Sequence, residues 1–292
     1  MKDTKHKILT LAALTTIAAG VIHLTNRVIV ASSQLKEMLD FSNHNYYNWR
    51  FGKIYYTKKG KGSPLLLIHD TMPGASGYEW SRVEDQLSQE HTVYTLDLLG
   101  CGRSEKAGIT YTNFLFVQII CDFIKNVIKE KTDIIASGFS CSFVTTAAAY
   151  DKESINKIMF INPVSMISLA QTTTKKDKLF KFFIELPIFG TFIYHIIVSR
   201  ETINDFFLDN LYYNPFHVDK DVLDAYYEAA HKGGYYAKCL YSSQSAKYMN
   251  INIRHAVESI DNSIYIVEGE DEPNGAAIVE AYQKVNPAIE SA

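Results

Sequence analysis

Apolar residues fall into two patterns along this chain: short unbroken runs, and longer stretches with apolar positions three or four residues apart. The unbroken runs are P-L-L-L-I from Pro64, V-Y-T-L from Val93, D-I-I-A-S from Asp133, I-M-F-I from Ile158 and I-Y-I-V from Ile264. Such runs are typical of strands that are covered on both faces. The stretches 79–89, 111–130 and 142–150 have helical spacing and separate the runs. Alternating strands and helices predict an α/β fold, with a mostly parallel, doubly wound sheet and helices on both faces.

Two parts of the chain depart from this alternation. Residues 46–57 alternate between apolar and polar positions around Gly52, which predicts a β-hairpin ahead of the first buried strand. From about Ser165 to Asn252 the alternation stops and the sequence becomes helical and rich in aromatic residues. We therefore predict four segments. They are an N-terminal hydrophobic helix (1–31), the first part of the core (32–164), an inserted helical cap (165–252), and a second part of the core (253–292) that stops inside a strand and is expected to be incomplete.

The N-terminus is the least globular part of the sequence. A basic start is followed by an apolar run from Ile8 to Leu24, about the length of a short membrane span, and no clear cleavage site precedes Ser32. We expect a signal anchor with the folded domain outside the cytoplasm, since more positive charge precedes the run than follows it. The alternatives are a cleaved export signal, which would make the protein secreted, and an amphipathic helix packed on the domain.

Composition narrows the function classes without choosing one. The chain is 47% hydrophobic and 21% charged, with a net charge of −3, so it lacks the basic surface that nucleic-acid binding needs. The four cysteines are far apart and match no metal or haem spacing, and no metal or cofactor is implied. We expect them to be mostly buried thiols. The composition says nothing about the oligomeric state.

Residues that follow the predicted strands are the candidates for chemistry, because open α/β sheets bind ligands at the carboxyl ends of their strands. Ser140 follows the third run within G-F-S-C-S, with a small residue two positions away on either side. A serine nucleophile on a tight turn from strand to helix needs such neighbours. The other interpretation is a turn serine that caps the next helix.

Four motifs in order give the chain a resemblance to the α/β-hydrolase family from about Tyr47 onward. They are H-D-T at 69–71, D-L-L-G-C-G-R-S at 97–104, G-F-S-C-S at 138–142 and G-E-D-E at 269–272. The resemblance implies a serine hydrolase with a helical cap that acts on an ester or similar acyl substrate.

The resemblance also assigns roles to individual residues. Ser140 would be the nucleophile, and the amides of Cys141 and Thr71 would form the oxyanion hole. Glu272 would be the acid of the triad, with Asp271 as its rival.

Two features depart from the family pattern. Asp70 stands where the family usually has glycine, and no histidine follows His255, although the triad base should come after the acid. A truncated sequence accounts for the missing histidine. The alternative hypothesis is a non-catalytic binding protein that keeps the sheet and the cap.

Overall fold

An eight-stranded sheet forms the centre of the computed structural model, which describes residues 2–39, 45–212, 214–270, 272 and 274–292. The strands are β1 (Asn45–Trp49), β2 (Gly52–Lys59), β3 (Ser63–Ile68), β4 (His91–Leu96), β5 (Thr132–Ser137), β6 (Ile155–Ile161), β7 (Ile264–Val267) and β8 (Glu290–Ser291). Their order across the sheet is β1-β2-β4-β3-β5-β6-β7-β8. β1 and β2 pair antiparallel, β2 pairs antiparallel with β4, and every other pair is parallel.

The strands follow from the predicted runs. Each of the five unbroken apolar runs overlaps one of the strands β3 to β7, and the alternating segment forms the β1–β2 hairpin. Leu66, Leu67 and Ile68 of β3 have no exposed surface because helices cover both faces of the sheet. The predicted α/β fold with a mostly parallel sheet is confirmed.

Helices connect the strands and cover both faces. They are α1 (Lys2–Ser33), α2 (Glu84–Leu87), α3 (Asn113–Phe123), α4 (Ser140–Tyr150), α5 (Met166–Leu169), α6 (Lys175–Glu185), α7 (Phe189–Ile197), α8 (Arg200–Phe206), α9 (Lys220–His231), α10 (Lys238–Ser245), α11 (Arg254–Ser259) and α12 (Gly275–Val285). The stretch 79–89 is less helical than predicted, since only a 3-10 turn (Gly77–Trp80) and α2 form there.

Helices α5 to α11 lie between β6 and β7 and build a small core of their own. Tyr194, Ile203, Phe207 and Tyr226 are buried in it, and Ala75 of the loop after β3 packs with them. This helical insertion therefore lies over the carboxyl ends of the parallel strands.

Helix α1 has two different surroundings along its length. The residues around Leu14 and Ile17 are exposed, while Asn26 and Ser33 are buried where α1 packs on α7 and α9. Within His6–Ser33, a stretch of 18 residues has a mean hydropathy of 1.9, so this part of α1 is long and apolar enough to cross a membrane. A signal sequence can be equally long and apolar.

The cysteines fit their predicted role. Cys101, Cys141 and Cys239 are buried and Cys121 is half-buried, and all four are free thiols.

Candidate functional site

A cavity of about 490 Å³ lies between the carboxyl ends of the strands and the helical insertion. The sheet side contributes Asp70, Glu79, Ser137 and Gly138, and Glu272 follows β7. The insertion side contributes a mostly apolar wall that includes Phe206, Phe207, Tyr212, Val222 and Tyr226. The volume lies within the range of small-molecule sites.

The turn from β5 into α4 is the strand-to-helix elbow of the fold. Its tip is Gly138, which has a positive φ of 54°. Ser140 comes two residues later as the first residue of α4, where it has no exposed surface, and its hydroxyl donates to the carbonyl oxygen of His69 at 2.6 Å. An elbow nucleophile is expected at the exposed tip of the turn. The structure therefore differs from the sequence prediction, because β5 ends at Ser137 and carries Gly138 to the position predicted for Ser140.

The backbone amides beside this tip are already occupied by a carboxylate. Elbow geometry assigns the oxyanion hole to the amide after the tip residue and to an amide from the loop after the neighbouring strand. In this chain they are Phe139 and Thr71, and both N–H groups donate to Oδ1 of Asp70, at 2.9 and 2.7 Å. The Thr71 amide thus lies beside the tip of the elbow. The Cys141 amide does not face this position, because it points back to the carbonyl oxygen of Gly138 at 3.4 Å.

Asp70 also fills the space that a side chain at position 138 would need. A β-carbon built on Gly138 would lie 2.4 Å from Cγ of Asp70 and 2.4 Å from its Oδ2. The Asp70 carboxyl group therefore fills the space beside Gly138 and accepts from the N–H groups of both Phe139 and Thr71. Burial raises the pKa of Asp70, and its hydrogen bonds from Phe139 and Thr71 oppose that shift.

Glu79 is a second acid beside Asp70. Its Oε2 accepts a hydrogen bond of 3.1 Å from the backbone N–H of Asp70. Burial, and to a smaller extent the Asp70 carboxylate, raises the pKa of Glu79 from 4.5 to about 7. Burial therefore favours the protonated form of both neighbouring carboxyl groups, Asp70 and Glu79.

Glu272 lines the same cavity, and burial raises its pKa. Its predicted rival Asp271 lies outside the described residues. No histidine is found among the described residues that line this cavity. The structure therefore brings Glu272, Thr71 and Asp70 to one edge of the sheet, and no histidine ring among the described residues bonds to the Ser140 hydroxyl.

The remaining motif residues hold the loops in place. Nε2 of His69 accepts from the backbone N–H of Leu98 at 3.0 Å, and burial lowers the pKa of His69, so this ring is neutral. Asp97 is buried and accepts from Nε and Nη2 of Arg103 at 2.8 and 2.9 Å. Although burial opposes it, the Arg103 guanidinium holds the pKa of Asp97 below its usual value. The D-L-L-G-C-G-R-S motif thus forms a rigid loop.

Comparison with known proteins supports the fold. Residues 64–183 match the model of the alpha/beta hydrolase fold family. A solved serine hydrolase involved in carbazole degradation superimposes with a TM-score of 0.67 at 18% identity, covering 86% of this chain and 88% of that one. The chain is thus an α/β-hydrolase fold protein.

Two curated relatives match shorter segments. The chain is 27% identical over 114 residues to a 2-hydroxy-6-oxo-6-(2'-aminophenyl)hexa-2,4-dienoic acid hydrolase of Metapseudomonas resinovorans, which is 38% of this chain and 39% of the relative. It is 40% identical over 67 residues to a pimeloyl-[acyl-carrier protein] methyl ester esterase of Aliivibrio fischeri (strain MJ11), 23% of this chain and 25% of the relative. The relatives are hydrolases, and the matches span less than half of their length.

Sequence reasoning missed Gly138, Phe139 and Glu79. A usable signal was present, since A-S-G-F-S at 136–140 has small residues at the same two positions as G-F-S-C-S at 138–142. Only the end of β5 at Ser137 decides which of these two segments forms the elbow. Glu79 was hidden inside a stretch predicted to be helical.

Proposed function

We propose that this protein binds a small, largely apolar ligand in the cavity between the sheet and the cap predicted over 165–252, without forming an acyl-enzyme. The observation that supports this most directly is the position of the Asp70 carboxylate. It accepts from the amides of Phe139 and Thr71 and fills the space beside Gly138. The proposal corresponds to the non-catalytic alternative of the sequence analysis.

The physical reason is electrostatic. Acyl transfer develops negative charge on a carbonyl oxygen, and free N–H donors must face that oxygen to stabilise it. In this site the donors already face a carboxylate, and a second negative charge within about 4 Å would be repelled by roughly 4 kcal/mol at a protein surface. Asp70 would have to move or take up a proton before a substrate carbonyl oxygen could bind there.

The lining indicates the chemistry of the ligand. Among the described residues that line the cavity, Asp70, Glu79 and Glu272 are acidic and Arg82 is the one cationic side chain. The opposite wall is aromatic and aliphatic. We infer a ligand with an apolar body and a hydrogen-bond-donating or cationic group that pairs with the carboxyl groups.

Calorimetric titration of the full chain with a pair of alkyl ligands of equal chain length tests this. We expect a primary alkylamine to bind more tightly than the matching alkyl carboxylic acid, and Asp70→Asn to reduce that preference. Arg82→Gln is the matched control, because it removes a charge from the same cavity and should leave the preference for the amine intact. Tighter binding of the acid would overturn the proposed ligand class.

The second candidate is the serine hydrolase of the sequence prediction, acting through Ser140 on an ester or similar acyl substrate. The hydrolase relatives, which include an esterase, favour it. Ser140 would first have to break its hydrogen bond to the His69 carbonyl, and Asp70 would have to leave the two amides. Labelling of the full chain with a fluorophosphonate probe distinguishes the candidates. Labelling that disappears in Ser140→Ala would establish the hydrolase and overturn the binding proposal.

We also propose that α1 anchors the protein in a membrane with the folded part outside the cytoplasm. Its apolar residues are exposed along most of the helix, which supports an apolar surrounding rather than packing on the domain. The excess of basic residues before the apolar run supports the orientation. Protease treatment of intact cells tests it, since the folded part should be digested from outside.

A further inference from the structure

Helix α6 has its polarity reversed relative to a helix on a water-soluble domain. Lys181 and Ile184 are its buried residues, while Leu179, Phe182 and Phe183 are exposed. Helices on soluble domains turn their apolar face inward and their charged residues to water. A buried lysine beside exposed phenylalanines is the opposite arrangement.

Helix α7 also leaves large apolar residues outside. Thr191 and His195 are buried beside Tyr194, while Phe189, Ile193 and Ile196 are exposed. We call the six exposed residues the α6–α7 apolar surface: Leu179, Phe182, Phe183, Phe189, Ile193 and Ile196. Each is between 41% and 59% exposed. A group of exposed large apolar residues on neighbouring helices is typical of an interaction surface.

Polar contacts on the inner side hold the two helices in this orientation. The Ser242 hydroxyl of α10 donates to Oε1 of Glu185 at the end of α6, at 2.7 Å. Nζ of Lys238 on α10 donates to the carbonyl oxygen of Leu186 at 2.7 Å and to the Thr191 hydroxyl at 3.0 Å. The ring of His195 stacks on that of His231, with centroids 4.8 Å apart. Rotation of either helix to bury its apolar face would break these contacts.

The corner between α6 and α7 lies next to α1 at a defined height. Nδ2 of Asn26 donates to the carbonyl oxygen of Ile188 at 3.0 Å. The apolar run of α1 ends at Leu24, two residues earlier, and a helix rises about 1.5 Å per residue. If α1 crosses a membrane, the α6–α7 corner therefore lies at the level where the apolar run leaves the hydrocarbon layer.

We propose that the α6–α7 apolar surface lies in the interfacial layer of the membrane that α1 enters, so that its partner is a phospholipid bilayer. Apolar side chains of interfacial helices enter the boundary between headgroups and acyl chains. Lys175, Lys176 and Lys178 at the start of α6 are exposed and supply positive charge for lipid phosphates. This surface does not line the ligand cavity, so the two sites are separate.

The test measures depth at one position of the full chain in vesicles of phosphatidylcholine and phosphatidylglycerol. Phe182→Cys carries an environment-sensitive nitrobenzoxadiazole label, in a Cys121→Ser background that removes the half-buried thiol. The matched control is Tyr150→Cys, which is 81% exposed at the end of α4 that lies away from the elbow. We expect lipids with a doxyl group near the headgroup to quench the label at position 182 several-fold more than the label at 150.

Equal quenching at the two positions would overturn the proposal. The proposal would also be overturned if the emission of the label at position 182 in detergent changed with protein concentration, because a second copy of the chain would then cover the surface. The result does not depend on catalysis or on ligand binding. The proposal rests on anchoring by α1, which flotation of the labelled chain with the vesicles checks separately from the quenching.

Discussion

At the scale of single residues, Asp70 and Gly138 form a complementary pair. Glycine at the tip of the elbow leaves the room that the Asp70 side chain fills, and the Asp70 carboxylate satisfies the amides of Phe139 and Thr71. A carboxylate without those two donors would be much more costly to bury. The pair is therefore expected to behave as one unit in mutagenesis.

Gly138→Ala should lower the free energy of unfolding by more than the cost of holding alanine at a left-handed φ. A residue other than glycine at a left-handed φ costs about 1–2 kcal/mol, and here the new methyl group would also collide with Asp70. In an Asp70→Gly background, the loss of unfolding free energy caused by Gly138→Ala should fall to the cost of the left-handed φ alone. Urea unfolding of the four proteins measures the coupling.

Gly234→Ala is the control for this cycle. Gly234 has a φ of 59°, and nothing lies within 4 Å of a β-carbon built on it, so only the backbone term applies. Equal losses for Gly138→Ala and Gly234→Ala would contradict the proposed fit between Asp70 and Gly138.

Glu79 should make stability depend on pH near neutrality. Its folded pKa of about 7 exceeds the ordinary 4.5, so between these values the folded state keeps a proton that the unfolded state has lost. Stability therefore falls as the pH rises through this window, by about 3 kcal/mol in total for a shift of that size. Urea unfolding across the window should show that Glu79→Gln removes this decrease.

Glu90→Gln, an exposed position just before β4, is the matched control and should leave the pH profile of the native protein unchanged. A Glu79→Gln profile parallel to that of the native protein would show that Glu79 does not hold this proton.

At the scale of elements, the contact between α6 and α7 depends on a close backbone approach. Gly190 in the first turn of α7 faces the end of α6, and a β-carbon there would lie 2.1 Å from the carbonyl oxygen of Ile184. The chain therefore turns sharply between the two helices, whose axes are bent by 104°. This corner orients the exposed aromatic residues of both helices.

Gly190→Ala should push α7 away from α6. Overpacking that forces backbone shifts costs about 1–3 kcal/mol, and we expect a loss of that size in urea unfolding, with faster hydrogen exchange in α6 and α7. Gly20→Ala is the control, because nothing lies within 4 Å of its added methyl group and alanine favours a helix. Unchanged exchange in α6 and α7 would show that the corner does not need glycine.

At the scale of the whole molecule, three parts have different surroundings: a sheet covered on both faces, a helical insertion over its carboxyl end, and α1 with exposed apolar residues. Asn26 and Ser33 tie α1 to the insertion rather than to the sheet. The insertion therefore lines the cavity with some of its helices and forms the proposed membrane surface with others.

Lysines in the middle of α1 should abolish its membrane anchoring. Leu14→Lys with Ile17→Lys places two charges in the apolar run, each costing about 3 kcal/mol at the centre of a span. We expect the native chain to stay in the membrane fraction after alkaline washing and the double variant to be released. Leu35→Lys, which is exposed beyond the end of α1, should behave like the native chain. Release of the native chain by the same wash would contradict anchoring.

Local sequence patterns were enough to predict the strands, the hairpin and the fold class. These depend on local patterns: a strand covered on both faces needs an unbroken apolar run wherever it lies, and P-L-L-L-I from Pro64 is such a run. The sequence also placed Thr71, Asp70 and Glu272 at the ends of strands that meet at one edge of the sheet.

Packing between distant segments determines which residue stands at the tip of the elbow and what the amides of Phe139 and Thr71 bind. The motif permits either Gly138 or Ser140 at the tip, and the pairing of β5 with β6 ends the strand at Ser137 and selects Gly138. Asp70 reaches the amide of Phe139 across 69 positions of sequence, which no local pattern records. The reversed polarity of α6 is likewise invisible in the sequence, because periodicity shows that a helix has an apolar face and only packing shows which face is turned inward.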